Sequence, residues 1–123
     1  MTLSPEKLGN FLVEAVEGDF CALWVAYHNE VMIGLFGAMV LPMTFHDGYM
    51  ASDVAIYLDP QYRSSRPGWT ALTQMVQEYR SWAKRKPGIN RVMVGAATGI
   101  NDDKAAKSFE RLGAKPAGKM LEF

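Results

Sequence analysis

The sequence predicts a single α/β domain (α+β in some schemes), built on a mixed, mostly antiparallel sheet flanked by helices. Three observations carry that reading. Two apolar runs rich in branched and aromatic residues, Phe20–Tyr27 and Val31–Leu41, lie close together with Asn29 and Glu30 between them, the pattern of an antiparallel hairpin. From Tyr49 to Leu112 the chain then alternates strand-like and helix-like periodicity, which implies crossover connections and helices on the sheet faces. The length of 123 residues, with 49% hydrophobic and 21% charged, fits one folded core, so residues 1–123 are read as one domain.

Taken in order, Ser4-Pro5-Glu6 reads as an N-cap, a proline at the first helical position and an acid in the first turn. Leu8, Phe11, Leu12, Ala15 and Val16 follow at helical spacing and Gly18 ends the pattern, so a helix is expected here. The two strands of the hairpin are nearly continuous in apolar residues, which predicts cover on both faces. Gly34 and Gly37 inside the second strand mark close packing or a bulge. Pro42–Gly48 is a loop, and Tyr49–Leu58 is a third strand closed by Asp59-Pro60. After a polar, basic loop, Trp69, Leu72, Val76, Tyr79 and Ala83 form the apolar stripe of a helix running to about Lys86, where Pro87-Gly88 stops it. Arg91–Ala97 reads as a fourth strand. Asp102–Leu112 reads as a second amphipathic helix with Gly113 as its C-terminal cap. Lys115–Phe123 is a last strand, weakened by Pro116 and Gly118.

Composition and missing motifs narrow the chemistry. Thirteen basic side chains balance thirteen acidic ones, so binding to nucleic acid through bulk charge is not expected. No apolar run approaches the roughly 20 residues of a membrane span, and no secretory signal pattern opens the chain. Cys21 is the lone cysteine, which suits a reducing cytoplasm. The only histidines, His28 and His46, have no cluster of metal-ligating neighbours, so no metal site is expected. The phosphate-loop, dinucleotide and nucleophile-elbow motifs are all missing.

What remains is Val54 to Leu72, V-A-I-Y-L-D-P-Q-Y-R-S-S-R-P-G-W-T-A-L. A strand ends, a loop with two arginines follows, and a helix opens near Pro67-Gly68. Unpaired N–H groups and the positive end of the helix dipole attract phosphate there. Arg63 and Arg66 would add charge-assisted hydrogen bonds. A solvated loop before a proline-started helix is the plainer alternative. The segment resembles the coenzyme A-binding signature of the GNAT superfamily of N-acetyltransferases. Leu58-Asp59-Pro60-Gln61-Tyr62-Arg63 matches the first half of that signature. Arg63-Ser64-Ser65-Arg66-Pro67-Gly68 matches the second, with Arg66 where the family prefers glycine. Ala105–Lys115, A-A-K-S-F-E-R-L-G-A-K, is similar to the family's late helix. The whole looks most like small phage-encoded acetyltransferase-like proteins. Relatives usually begin with a further strand and one or two helices, for which only Ser4–Val16 is available, so the resemblance implies an N-terminally shortened version of the fold.

The resemblance implies acetyl-CoA as cosubstrate and direct transfer, with no protein nucleophile and no metal. Main-chain groups of Ile56, Tyr57 and Leu58 would bond the pantetheine arm and the thioester carbonyl. Main-chain donors of Arg63, Ser64, Ser65, Arg66, Gly68 and Trp69 would hold the pyrophosphate. A splayed partner strand around Val94–Ala97 would open the gap, with Gly95, Ala96 and Ala97 small enough to allow it. Strand alternation puts Val54, Ile56 and Leu58 on one face and Asp53, Ala55, Tyr57 and Asp59 on the other. Asp53 is the candidate base, acting through water, or else an exposed or N–H-bonded aspartate. Tyr57 is a candidate acid or a packing aromatic. Asp59 beside Pro60 is a turn former. Phe109 stands where the family places its proton-donating tyrosine, and phenylalanine donates no proton. His46 in its loop is a second candidate base or simply solvated. Trp24, Trp69 and Trp82 read as core or interface aromatics.

Two functions therefore stand side by side. One is a cytoplasmic acetyl-CoA-dependent N-acetyltransferase acting on a primary amine: a protein lysine, an N-terminus or a small amine. The other is a catalytically silent domain of the same fold that binds another protein, a host protein among the candidates. Near-zero net charge and an incomplete sheet edge predict a homodimer in either case.

Overall fold

The computed structural model describes residues 11–43, 45–95, 102–117 and 123, which divide after Met93 into two compact units. In the first unit, five strands form one sheet in chain order, β1-β2-β3-β4-β5. They are β1 (Phe11–Glu17), β2 (Cys21–His28), β3 (Val31–Pro42), β4 (Tyr49–Leu58) and β5 (Ile89–Val92). The first four are antiparallel neighbours and β5 pairs parallel to β4. Between β4 and β5 come a one-turn 3₁₀ helix, Pro60–Tyr62, and helix α1, Arg66–Lys84.

The first expectation to fall is the N-terminal helix. Phe11–Glu17 is a strand, paired along its whole length with β2 from Phe11↔His28 to Glu17↔Ala22. Gly18 donates its N–H to the Cys21 carbonyl at 2.8 Å, closing a tight turn that folds the two strands together. The ladder, with Val13 wholly buried, outweighs the helical spacing of a segment too short to be a stable helix alone. The expected residues 4–10 of that helix lie outside the described residues.

The β2–β3 hairpin forms as expected. Asn29 and Glu30 both take positive φ, 51° and 67°, the primed turn whose twist matches antiparallel strands. Cover on both faces is not what β2 shows. Ala22, Trp24 and Ala26 are buried, whereas Leu23 between them is 39% exposed. The glycines of β3 do both things expected of them. A side chain on Gly34 would press on the Met75 methyl, and Gly37 lies against Val54 at an irregularity in the β3–β4 ladder.

The core sits where α1 packs on the sheet. Small residues (Ala22, Ala26, Ala38, Ala51) leave room for Trp24 and Phe36 from the sheet and Tyr79 and Trp82 from the helix. Ring centroids are 5.7 Å apart for Trp24 and Trp82 and 4.8 Å for Phe36 and Tyr79. Such pairs contribute about 0.5–1.5 kcal/mol each beyond the area they bury. Glu17 and Arg85 form an ion pair at 2.9 Å, and Lys86 donates to the Gly18 carbonyl, so the β1–β2 turn is tied to the end of α1.

The second unit contains α2, Asp102–Arg111. Gly113, with φ 104°, donates to the Glu110 carbonyl while Ala114 donates to that of Phe109, a Schellman ending that only the left-handed residue allows. Residues 114–117 are not a strand, so the described part of the expected last strand is not one; Pro116 supplies no ladder donor. Residues 118–122 lie outside the described residues.

Candidate functional site

The candidate site begins where β4 runs into α1. Asp59 donates its N–H to the Ile33 carbonyl at 2.7 Å and accepts the Gln61 N–H on Oδ1 at 3.0 Å, so it is the turn former expected of it. Ser65, one residue ahead of Arg66, is the N-cap of α1. Its Oγ accepts the Gly68 N–H at 3.1 Å and donates to the Tyr62 carbonyl at 2.7 Å. A Cβ on Gly68 would collide with that same carbonyl oxygen, so glycine is required for the turn to close on the helix.

These bonds change the expected donor set. Within the chain, Arg63, Ser65 and Trp69 donate their N–H groups to Pro60, Tyr62 and Ser65, and Gly68 donates to the Ser65 cap. Pro67 has no N–H. Ser64 is engaged in the fold as well. The Arg66 N–H, at the first helical position, is one of the donors a helix leaves without an intrahelical partner. The Arg63 guanidinium reaches back to the end of β4, where Nε donates to the Leu58 carbonyl at 2.8 Å. Arg63 and Arg66 are both exposed. A positive helix end with an arginine on each side of the Ser65 cap suits a pyrophosphate, which would compete with Ser65 Oγ for the Gly68 N–H.

The second part is the outer edge of β4. Pairing with β5 covers only Tyr49–Ala51, followed by a last bond from the Met93 N–H to the Ala51 carbonyl at 2.8 Å. No ladder with β5 continues past Ala51 among the described residues. On the β3 side the Asp59–Ile33 bond sets the alternation of the antiparallel ladder. Tyr57 is thereby directed to Leu35, whereas Ile56 and Leu58 turn their main-chain groups to the outer edge. Of the three residues expected to meet a pantetheine arm, Tyr57 is directed into the sheet. The Leu58 carbonyl is held by Arg63. Ile56 N–H and C=O and Leu58 N–H face outward. Of the expected partner strand Val94–Ala97, Val94 and Gly95 are not in a strand, and 96–97 lie outside the described residues.

The third part corrects the facing of the candidate acid and base. In the β3–β4 ladder Ala38 pairs with Asp53 and Gly37 with Ala55, so Val54 is one residue too many, a β-bulge. The bulge flips the alternation. Asp53 shares the α1 face with Ile56 and Leu58, while Val54, Ala55 and Tyr57 face the other side. Val54 and Ala55 both approach Gly37 from that side. Asp53 and Tyr57 therefore flank β4 from opposite faces rather than sharing one.

On its face Asp53 lies near Tyr79, a residue the sequence marked only as part of the α1 stripe. Tyr79 is 1% exposed, and its hydroxyl donates to the Met93 carbonyl. Burial first, and the Asp53 charge second, raise its pKa well above that of an ordinary tyrosine. The available signal was a tyrosine on a buried helix face, whose hydroxyl must find a partner. His46 is exposed in the β3–β4 loop. Phe109 is buried, on α2. Trp24 and Trp82 are core residues and Trp69 is half-buried at the start of α1. The described residues contain no group of three metal-ligating side chains and no helix long and apolar enough to cross a membrane.

No protein-family model and no curated protein matches the sequence. Solved structures do match in fold. An aminoglycoside acetyltransferase from an uncultured soil metagenomic sample, in complex with trehalose, superposes with a TM-score of 0.60 at 17% identity, over 87% of this chain. This chain spans 66% of that structure's length. The aminoglycoside N-acetyltransferase AAC(6')-Iy in complex with CoA gives a TM-score of 0.68 at 15% identity, over 87% of this chain and 68% of the other. Glucosamine-6-phosphate N-acetyltransferase from Arabidopsis thaliana gives 0.61 at 12% identity, over 86% and 67%. At these identities the likeness is one of fold, the GNAT fold, and the mixed, mostly antiparallel sheet expected from the sequence is that fold's sheet.

Proposed function

We propose that this protein is an acetyl-CoA-dependent N-acetyltransferase that moves an acetyl group to a primary amine. One observation carries the reading: among the described residues the pairing of β4 with β5 ends at Ala51, and β4 runs on from there to a basic helix N-terminus. An extended amide-bearing arm with a pyrophosphate at one end fits that pair of features, and neither is required by the core. Solved N-acetyltransferases, one of them holding CoA, share the fold and support the reading.

Acetyl-CoA supplies the acetyl group as an activated thioester; the reaction forms an amide C–N bond and breaks the C–S bond. The chain's own groups bind, orient and move protons. Arg66, through its N–H and guanidinium, and Arg63 hold the pyrophosphate, with Ser64, Ser65, Gly68 and Trp69 forming the turn beneath it. Ile56 and Leu58 bond the arm along the β4 edge. Asp53 takes the amine proton, directly or through water. Tyr57, across the strand, is the candidate donor to the departing sulfur. The acceptor class we favour is a small amine, because aminoglycosides and glucosamine-6-phosphate are what the structural neighbours are named for. A protein lysine or N-terminus is the alternative. The setting is a cytoplasm, where exposed Cys21 stays reduced, and the working form is a homodimer, which sedimentation at micromolar concentration checks.

Phe109 favours a second reading, a silent domain that binds a partner protein, because it leaves the late helix without a tyrosine hydroxyl. One experiment separates the two. Acetyl transfer is measured over a panel of amines and lysate proteins for the wild type, Asp53→Asn and Phe109→Tyr. A catalyst should lose about 10²–10⁴-fold in Asp53→Asn and gain in Phe109→Tyr. Absence of transfer in all three would establish the silent domain.

A further inference from the structure

Helix α1 packs on one face of the sheet, and the opposite face is apolar and exposed along its middle. The ladder registers put Val16, Leu23, Gly37 and Ala55 in one row across β1 to β4, with Val54 bulged beside it, on the side turned away from Trp24 and Phe36. Val16 is 72% and Val54 60% exposed there. Around the row lies an open hollow of about 620 Å³, lined also by Cys21 and Met39. Glu17, the one charged residue lining it, is paired with Arg85 at 2.9 Å. Among the described strand positions of β1 to β4 on this face, the one further charge is Glu14, on the edge strand.

Extent and charge fit this face to a second copy of the same chain. Four strands about 4.8 Å apart, each about seven residues long at about 3.3 Å per residue, make a face of roughly 19 by 23 Å, on the order of 450 Å² before side-chain relief. A standard interface takes about 800 Å² from each partner, and weak ones take less. The face therefore matches another sheet rather than a short peptide. Thirteen basic and thirteen acidic residues leave the chain without net charge, so two copies meet without net repulsion. An uncharged apolar face is also complementary to itself, whereas a charged partner would lose its hydration with nothing here to pair it. We propose that two copies pack these faces together about a two-fold axis, as a sandwich with sheets about 10 Å apart and Val16, Leu23 and Val54 at its centre. A two-fold contact is closed, so one operation covers the face on both chains. The lining of the hollow includes neither Tyr57 nor the β4–α1 turn, so coenzyme and partner copy use separate parts of the chain. The surface rests on the homodimer of the function proposed above, and not on its chemistry.

The test is sedimentation of the full chain over a wide concentration range for the wild type, Val16→Lys and Leu23→Lys, with circular dichroism to show that each variant is folded. Both side chains are exposed in the single chain, so a folded monomer tolerates lysine at either place. In a two-fold interface each lysine is buried twice, so the dissociation constant of the dimer should rise on the order of a hundredfold. A dimer that both variants retain overturns this surface and leaves the homodimer standing. A wild type that stays monomeric overturns both, and a foreign protein is then the occupant of the face. Should the variants not fold, Cys21 decides in the wild type, as the one thiol of the chain and part of the hollow. Its alkylation by a maleimide should be slower in the dimer than in the monomer, on the order of tenfold, and equal rates overturn the surface.

Discussion

Gly68→Ala adds one methyl group at the point where the turn closes on α1. The new Cβ would collide with the Tyr62 carbonyl oxygen and lie 3.2 Å from Leu58 Cδ2. The first of these is backbone and cannot step aside as a side-chain end would. That carbonyl also accepts two bonds from Ser65, from its N–H at 3.1 Å and from its Oγ at 2.7 Å, and the same Oγ caps the Gly68 N–H. Moving it therefore loosens the cap as well. Overpacking costs about 1–3 kcal/mol and loss of a cap about 1 kcal/mol. The better helix propensity of alanine returns at most about 1 kcal/mol. The net expectation is a loss of about 1–3 kcal/mol. With a urea slope of about 1–3 kcal/mol per molar, the unfolding midpoint should fall by on the order of 1 M. Ser65→Ala, which removes the cap without the collision, should cost about 1 kcal/mol and so less than Gly68→Ala. If Gly68→Ala were neutral or stabilising, or cost no more than Ser65→Ala, the close approach at Tyr62 would not be what requires glycine.

Glu30 holds a left-handed conformation, φ 67°, that a side chain disfavours. Glu30→Gly turns Asn29-Glu30 into Asn-Gly and should stabilise by about 0.5–1 kcal/mol, seen as a higher urea midpoint; a lower one contradicts the turn assignment. Tyr79 supplies a pH test. Its folded pKa lies above the ordinary 10.0, so above pH 10 the folded state keeps a proton that the unfolded state loses, and stability falls as pH rises. Unfolding free energy measured from pH 9 upward should fall more steeply for the wild type than for Tyr79→Phe, by up to about 1.4 kcal/mol per pH unit. Parallel curves would show that Tyr79 is not buried as described.

Much of this fold is legible in the residues. Branched and aromatic runs locate β2, β3 and β4, the last with both ends as read, because strand propensity and turn formers agree there. The stripe Leu72, Val76, Tyr79, Ala83 identifies α1, and Gly113 marks the end of α2. Phe11–Glu17 misleads because apolar spacing in a short segment suits helix and strand alike, and the partner strand decides. The bulge at Val54 is marked only from across the ladder, by Gly37 of β3; nothing in β4 itself shows the extra residue, yet it decides which face Asp53 occupies. The basic turn was legible as a place; how its donors are shared among Ser65, Tyr62 and Arg63 is a matter of geometry. Tyr79 was hidden by its own pattern, because a stripe residue reads as packing until its hydroxyl is traced.

The central claim is that the β4 edge and the α1 N-terminus together receive coenzyme A. Calorimetric titration of acetyl-CoA into the full chain tests it most directly. Saturable binding with one site per chain is expected, weakened at least tenfold, about 1.4 kcal/mol, by Arg63→Ala combined with Arg66→Ala. No heat of binding in the wild type, or equal affinity in the double variant, would contradict it.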